Sequence, residues 1–176
     1  MLDLEKTYTR KDINKIFAHI PSRTLRSWVE TGLVEWAGET HDGRGLHREF
    51  KFWNLFQLGL VEQLNGLNLP HDIIKFILSN NGFIGLVDEK PKIMECTVDI
   101  LVIFKAGLTR QKEVWKSTLV HNKELPKFFE RFSNPSNDDV LMHALRFRLD
   151  PEPIAIIMVN MAEVYDRVLA HMRFYG

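Results

Sequence analysis

Between Phe52 and Leu64 the chain gathers Phe52, Trp53, Leu55, Phe56, Leu58, Leu60, Val61 and Leu64 within one helical length. A helix on the surface of a globular protein keeps its apolar residues in one stripe, whereas these crowd several faces. Such a helix must be covered on more than one side, so its neighbours have to be arranged around it. With 176 residues and 45% apolar content, the chain is long enough for one domain or two small ones and can supply that cover. The same composition excludes a disordered chain, which lacks the apolar surface to offset its ordering entropy.

The elements before this helix are short. Thr9 is an N-cap with Asp12 three residues on, a capping box with a short acid, and Ile13, Ile16, Phe17 and Ile20 form an apolar face at helical spacing. Pro21-Ser22 interrupts. Ser22 is expected to cap a second helix that carries Leu25, Trp28 and Val29 inward and stops at Gly32. Leu33 to Trp36 and Leu46 to Phe50 read as two short strands around Asp42-Gly43, a strong hairpin signal. Asn65-Gly66 closes the apolar helix. Pro70 opens a fourth, with Ile73, Ile74, Ile77 and Leu78 on its inner face.

Ser79-Asn80-Asn81-Gly82 are turn formers and mark a boundary, giving domains 1–79 and 83–176. In the second, Ile100 to Phe104 and Glu113 to His121 read as strands, and Lys123 to Phe132 and Asp139 to Arg148 as helices. The continuous run Ile154 to Val159 reads as a strand covered on both faces. Asn160, with Glu163 three residues on, caps a last helix whose Met161, Val164, Tyr165, Val168, Leu169 and Met172 share one face. That face suits core packing or half of a homodimer interface. The fold class expected is α+β, an N-terminal winged helix-turn-helix followed by a small mixed α/β domain.

Helix, turn, helix, hairpin, helix, helix is the element order of a winged helix-turn-helix, in which the second helix and the hairpin meet DNA. With Leu25, Trp28 and Val29 inside, the second helix can present Arg23, Thr24, Arg26 and Ser27. Arg reads guanine edges or grips phosphate, and Thr and Ser bind phosphate oxygens. Arg44 and Arg48 lie on the hairpin, where Gly43 and Gly45 permit close approach to a backbone, and Arg10 and Lys11 begin the first helix within reach of phosphates.

These residues also carry a resemblance. Tyr8-Thr9, Ser22-Arg23-Thr24-Leu25-Arg26-Ser27-Trp28, Gly32-Leu33, Gly43-Arg44-Gly45, Arg48-Glu49-Phe50, Leu64 to Leu69 and Asp72-Ile73 follow one another as in the MerR-type DNA-binding domain, which residues 8 to about 78 resemble. The resemblance implies a sequence-specific transcriptional regulator that binds double-stranded DNA as a homodimer. Its C-terminal domain would dimerise or take a small-molecule or protein effector. Two positions depart from the family pattern. Ser27 stands where an aromatic is usual, and Phe50 where the wing has Tyr. Asn80-Asn81-Gly82 and Pro91 also break the long pairing helix typical of the family. With Cys96 the lone cysteine, cysteine-based metal sensing is not expected.

Charge sets the main alternative. Lys plus Arg and Asp plus Glu are 23 each, and from Tyr8 to Asn54 eight basic residues face six acids. So small a surplus predicts weak DNA binding by one copy, and it leaves room for a protein–protein interaction module that kept the fold without DNA binding. Enzyme signatures are absent, and no catalytic residue, cofactor or metal is expected. His41 and His47 lack a third ligand at useful spacing. Trp28, Trp36, Phe50, Phe52 and Trp53 read as core before they read as stacking platforms. Acids near the N-terminus argue against a signal peptide, and the run Ile154 to Val159 is far below the ~20 residues of a membrane span. A cytoplasmic protein without a membrane partner is expected.

Overall fold

The computed structural model describes residues 6–36, 49–80, 99–109, 112–127, 130 and 155–175. The chain is mixed helix and strand with small antiparallel sheets, and it divides into two units. Met1–Met94 with Ala162–Gly176 form the first, and Glu95–Met161 the second.

The first unit begins with β1 (Tyr8–Thr9) and α1 (Arg10–Ile16). The expected capping box is present in both directions. Asp12 N–H donates to Thr9 Oγ1 at 3.3 Å, and Thr9 N–H donates to Asp12 Oδ2 at 2.9 Å. A turn over Phe17 to Pro21 leads into α2 (Ser22–Glu30). Here the cap differs from expectation, since Pro21 and not Ser22 is the N-cap. The Pro21 carbonyl already accepts from Thr24 N–H at 2.8 Å and Leu25 N–H at 3.2 Å, which places Ser22 inside the first turn. Gly32, at φ +71°, ends α2 in the left-handed conformation that glycine adopts at least cost.

The expected first hairpin strand does not form. Leu33 and Val34 are both buried, so the chain bends into the core and does not alternate. Their backbone donors are also taken: Leu33 and Val34 N–H go to the Trp28 carbonyl, and Glu35 N–H goes to Gln57 Oε1 at 3.1 Å. Of the expected second strand the described residues hold β2 (Glu49–Phe50), which pairs antiparallel with β1, Tyr8 opposite Phe50. The hairpin tip, with Asp42-Gly43, Arg44 and Arg48, lies outside the described residues.

Helix α3 (Phe52–Gly66) is the post of this unit, buried without a break from Phe52 to Val61. That run includes two polar residues. Asn54 Oδ1 accepts from Lys51 N–H at 2.8 Å to close the N-terminus, and Gln57 receives Glu35 as above. Helix α4 (His71–Asn80) follows Pro70, whose carbonyl takes Ile74 N–H, and buries Ile74, Ile77 and Leu78.

The last helix, α5 (Met161–Tyr175), was expected in the C-terminal domain, but from Ala162 onward it belongs to the first unit. Gly59 of α3 explains the approach: a Cβ there would stand 2.5 Å from Val168 Cγ2 and 3.5 Å from Val164 Cγ1. Phe52 and Tyr165 add an edge-to-face ring pair at 5.6 Å. A helix apolar on several faces needs several covers, and α5 is one of them.

The second unit holds a three-stranded sheet in the order β4-β3-β5, with β3 (Asp99–Thr109), β4 (Lys112–His121) and β5 (Ala155–Asn160). All pairing is antiparallel, Ile100 lying between Val120 and Asn160. Among the described residues the unit's sheet is thus antiparallel, which is compatible with an α+β fold. The central strand is covered on both faces, since Leu101, Val102 and Ile103 are fully buried. The expectation of two-sided cover for Ile154 to Val159 fails. β5, at the end of the sheet among the described residues, buries Val159 but leaves Met158 54% exposed. The helix expected from Lys123 is entered through a 3-10 turn, Asn122–Glu124, and residues 125–127 and 130 are helical as expected. The helix expected over Asp139 to Arg148 lies outside the described residues. No helix among the described residues is long and apolar enough to cross a membrane.

Candidate nucleic-acid interface

The hydrophobic face of α2 fixes what its other face can do. Leu25, Trp28 and Val29 are buried, and Arg23 and Arg26 are exposed, with Thr24 and Ser27 half-buried between the two faces. The C-terminal end of the helix is held from α4, whose Lys75 Nζ donates to the Thr31 carbonyl at 3.1 Å. An ammonium suits that position, where unpaired carbonyls gather partial negative charge.

Arg26 is not a free cation. Its Nε donates to Glu30 Oε1 at 2.6 Å, one turn along, and this hydrogen bond and charge raise the guanidinium above its ordinary value. Both side chains are about half exposed, so the pair is screened by water and opens readily to a stronger anion.

Arg10 and Lys11 are exposed on the first turn of α1. A small cleft between α1 and α2 brings Arg10 and Arg26 to one place. Ile13, Leu25 and Val29 form its apolar wall, and Asn14 is its neutral polar group. Phe50 also lines this cleft and is buried. Phe50 is thus part of the core. Arg44 and Arg48 lie outside the described residues, as do His41 and His47.

Trp28, Phe50, Phe52 and Trp53 are buried and Trp36 is half-buried, so the first four offer no open stacking surface. Among the described residues, no group of three or more His, Cys, Asp and Glu is placed to hold a metal.

The chain matches no family model and no curated protein. Its own geometry therefore carries the functional reading. Two residues of that geometry were not singled out from the sequence. Asn14 stands four residues after Arg10, one helical turn away, so its place in the cleft had a local signal. Lys75 had none, because it acts across the fold.

Proposed function

We propose that the protein is a MerR-like, sequence-specific DNA-binding transcriptional regulator that acts in the cytoplasm as a homodimer. The observation that carries this reading is α2: three buried anchors hold a short helix whose open face offers Arg23 and Arg26, flanked by Thr24 and Ser27. In this reading α1, the turn and α2 are the helix-turn-helix, and α2 enters the major groove. Arg23, Thr24 and Arg26 meet base edges and phosphates there. Arg10, beside Arg26, and Lys11 reach the backbone from the first turn of α1. Arg44 and Arg48 grip the flanking phosphates from the wing. The second unit supplies dimerisation or takes a small-molecule or protein effector.

The Arg26–Glu30 pair supports a second reading, a protein-interaction module, because it neutralises one of the two cations on the reading face. A salt series separates the two. Full-length protein is titrated onto DNA fragments from around its own gene, with competitor DNA present. A DNA regulator binds selectively and loses affinity steeply with salt, the log-log slope being about 0.9 per phosphate contact. An interaction module does not bind even at low salt.

A further inference from the structure

A cluster of ionisable side chains that DNA recognition does not use joins the α1–α2 turn, α3 and α5. His19 of the turn and His171 of α5 stack, ring centroids 4.7 Å apart and planes 18° apart. Phe17 lies against both rings, 6.2 Å from His19 and 5.8 Å from His171. His19 Nε2 is 2.7 Å from Glu62 Oε1 of α3. Glu62 Oε2 is buried with no hydrogen-bond partner among the described residues. The stack lies on the same helix that Gly59 admits so closely to α3.

We infer that the His19–His171 stack is a pH-operated latch that tightens α5 on the N-terminal unit near neutral pH and loosens it in mild acid.

Neutral imidazoles stack as aromatic rings do. A proton on His19 Nε2 has the Glu62 carboxylate directly beside it. A proton on His171 is placed differently. From the turn it faces the His19 ring, and from its own helix Arg167. Among the described residues, Glu62 of α3 is the opposing charge acting on it. Arg167 is itself bonded to Glu163 at 3.2 Å on the exposed side of α5. Burial is the first cause that holds the His171 imidazole below its ordinary 6.5, and the charge on His19 adds to it. The undocked helix therefore takes up a proton more readily than the docked one. Docking is complete above the ordinary value of 6.5 and weakens as pH falls from there toward the docked value. Uptake of one proton changes the docking equilibrium by at most about tenfold per pH unit. Loosening uncovers α3 at Gly59 and Phe52.

Hydrogen exchange on the full-length protein reads the latch directly, as protection factors in α5 against those in α4 between about pH 7.5 and 5.5. The expected result is a several-fold loss of protection in α5 with α4 unchanged. In His171→Phe, which keeps a ring against His19 and Phe17 but cannot take a proton, α5 protection should be independent of pH. An NMR titration of His171 in the unaltered protein should fall below 6.5, which keeps the test decisive if the variant does not fold. The latch is overturned by α5 protection that stays constant, that falls together with α4, or that falls equally in His171→Phe. It is also overturned by a His171 that titrates at or above its ordinary value.

Discussion

Helix α2 buries Leu25, Trp28 and Val29 and turns Arg23 and Arg26 to solvent, while α3 buries every residue from Phe52 to Val61. The two helices follow one another in the same unit, with β2 between them, yet they are built for opposite purposes. The stability of α3 comes from cover on all sides. α2 buries Leu25, Trp28 and Val29, enough to fix its orientation, and keeps Arg23 and Arg26 on an exposed face, the one that the proposed function assigns to DNA. The difference teaches where a substitution should be felt: in folding for α3, in binding for α2.

The largest effect should come from truncation in α3. Phe56 is fully buried, and Phe56→Ala should cost about 3–5 kcal/mol through reduced burial and the cavity left behind, measured by denaturant unfolding. A cost near zero would break the contrast between the helices. Gly59→Ala should cost less, about 1–3 kcal/mol, because the new methyl meets Val168 and α3 and α5 must move apart. It should also lower α5 protection ahead of the rest of the unit. A neutral Gly59→Ala would mean that the two helices are not seated as described.

The smallest effect belongs to the cap of α1, the helix that props α2. Thr9→Ala should cost about 0.5–2 kcal/mol, read as a shift in thermal midpoint. The Thr9 hydrogen bonds hold the Asp12 carboxyl below its ordinary 3.8, so the carboxylate's part of the cap is present above that value and is lost as pH falls below it. The stability difference between unaltered protein and Thr9→Ala should therefore shrink on acidification through that range, leaving the part due to the Asp12 N–H bond to Thr9 Oγ1. A difference that does not shrink would contradict the reciprocal cap.

Local signals made much of this legible. The Thr9–Asp12 box, the three anchors of α2, Gly32 at positive φ and the all-round burial of α3 each follow from residues a few positions apart. Ser22 misled because it is a good cap in isolation, and only the turn geometry places Pro21 at the helix start. What stayed hidden is long-range. Leu33, Val34 and Glu35 spend their donors on Trp28 and on Gln57 of α3, and β2 meets β1. α5 returns to Gly59 across the whole second unit. Hydrophobic spacing shows that such a helix has a face to bury but not which neighbour receives it. At the candidate interface, Arg23 and Arg26 were readable as the outward residues of an amphipathic helix. The nearness of Arg10 to Arg26 and the grip of Lys75 on Thr31 depend on tertiary approach.

The central claim is that the open face of α2 reads DNA, and the double variant Arg23→Ala/Arg26→Ala tests it most directly. Both side chains are exposed, so its thermal midpoint should match that of the unaltered protein. Its affinity for the selected DNA fragment, at one fixed salt concentration, should fall about tenfold to a hundredfold for each base that an arginine no longer reads. A variant that folds normally and binds the fragment as tightly as before would contradict the account.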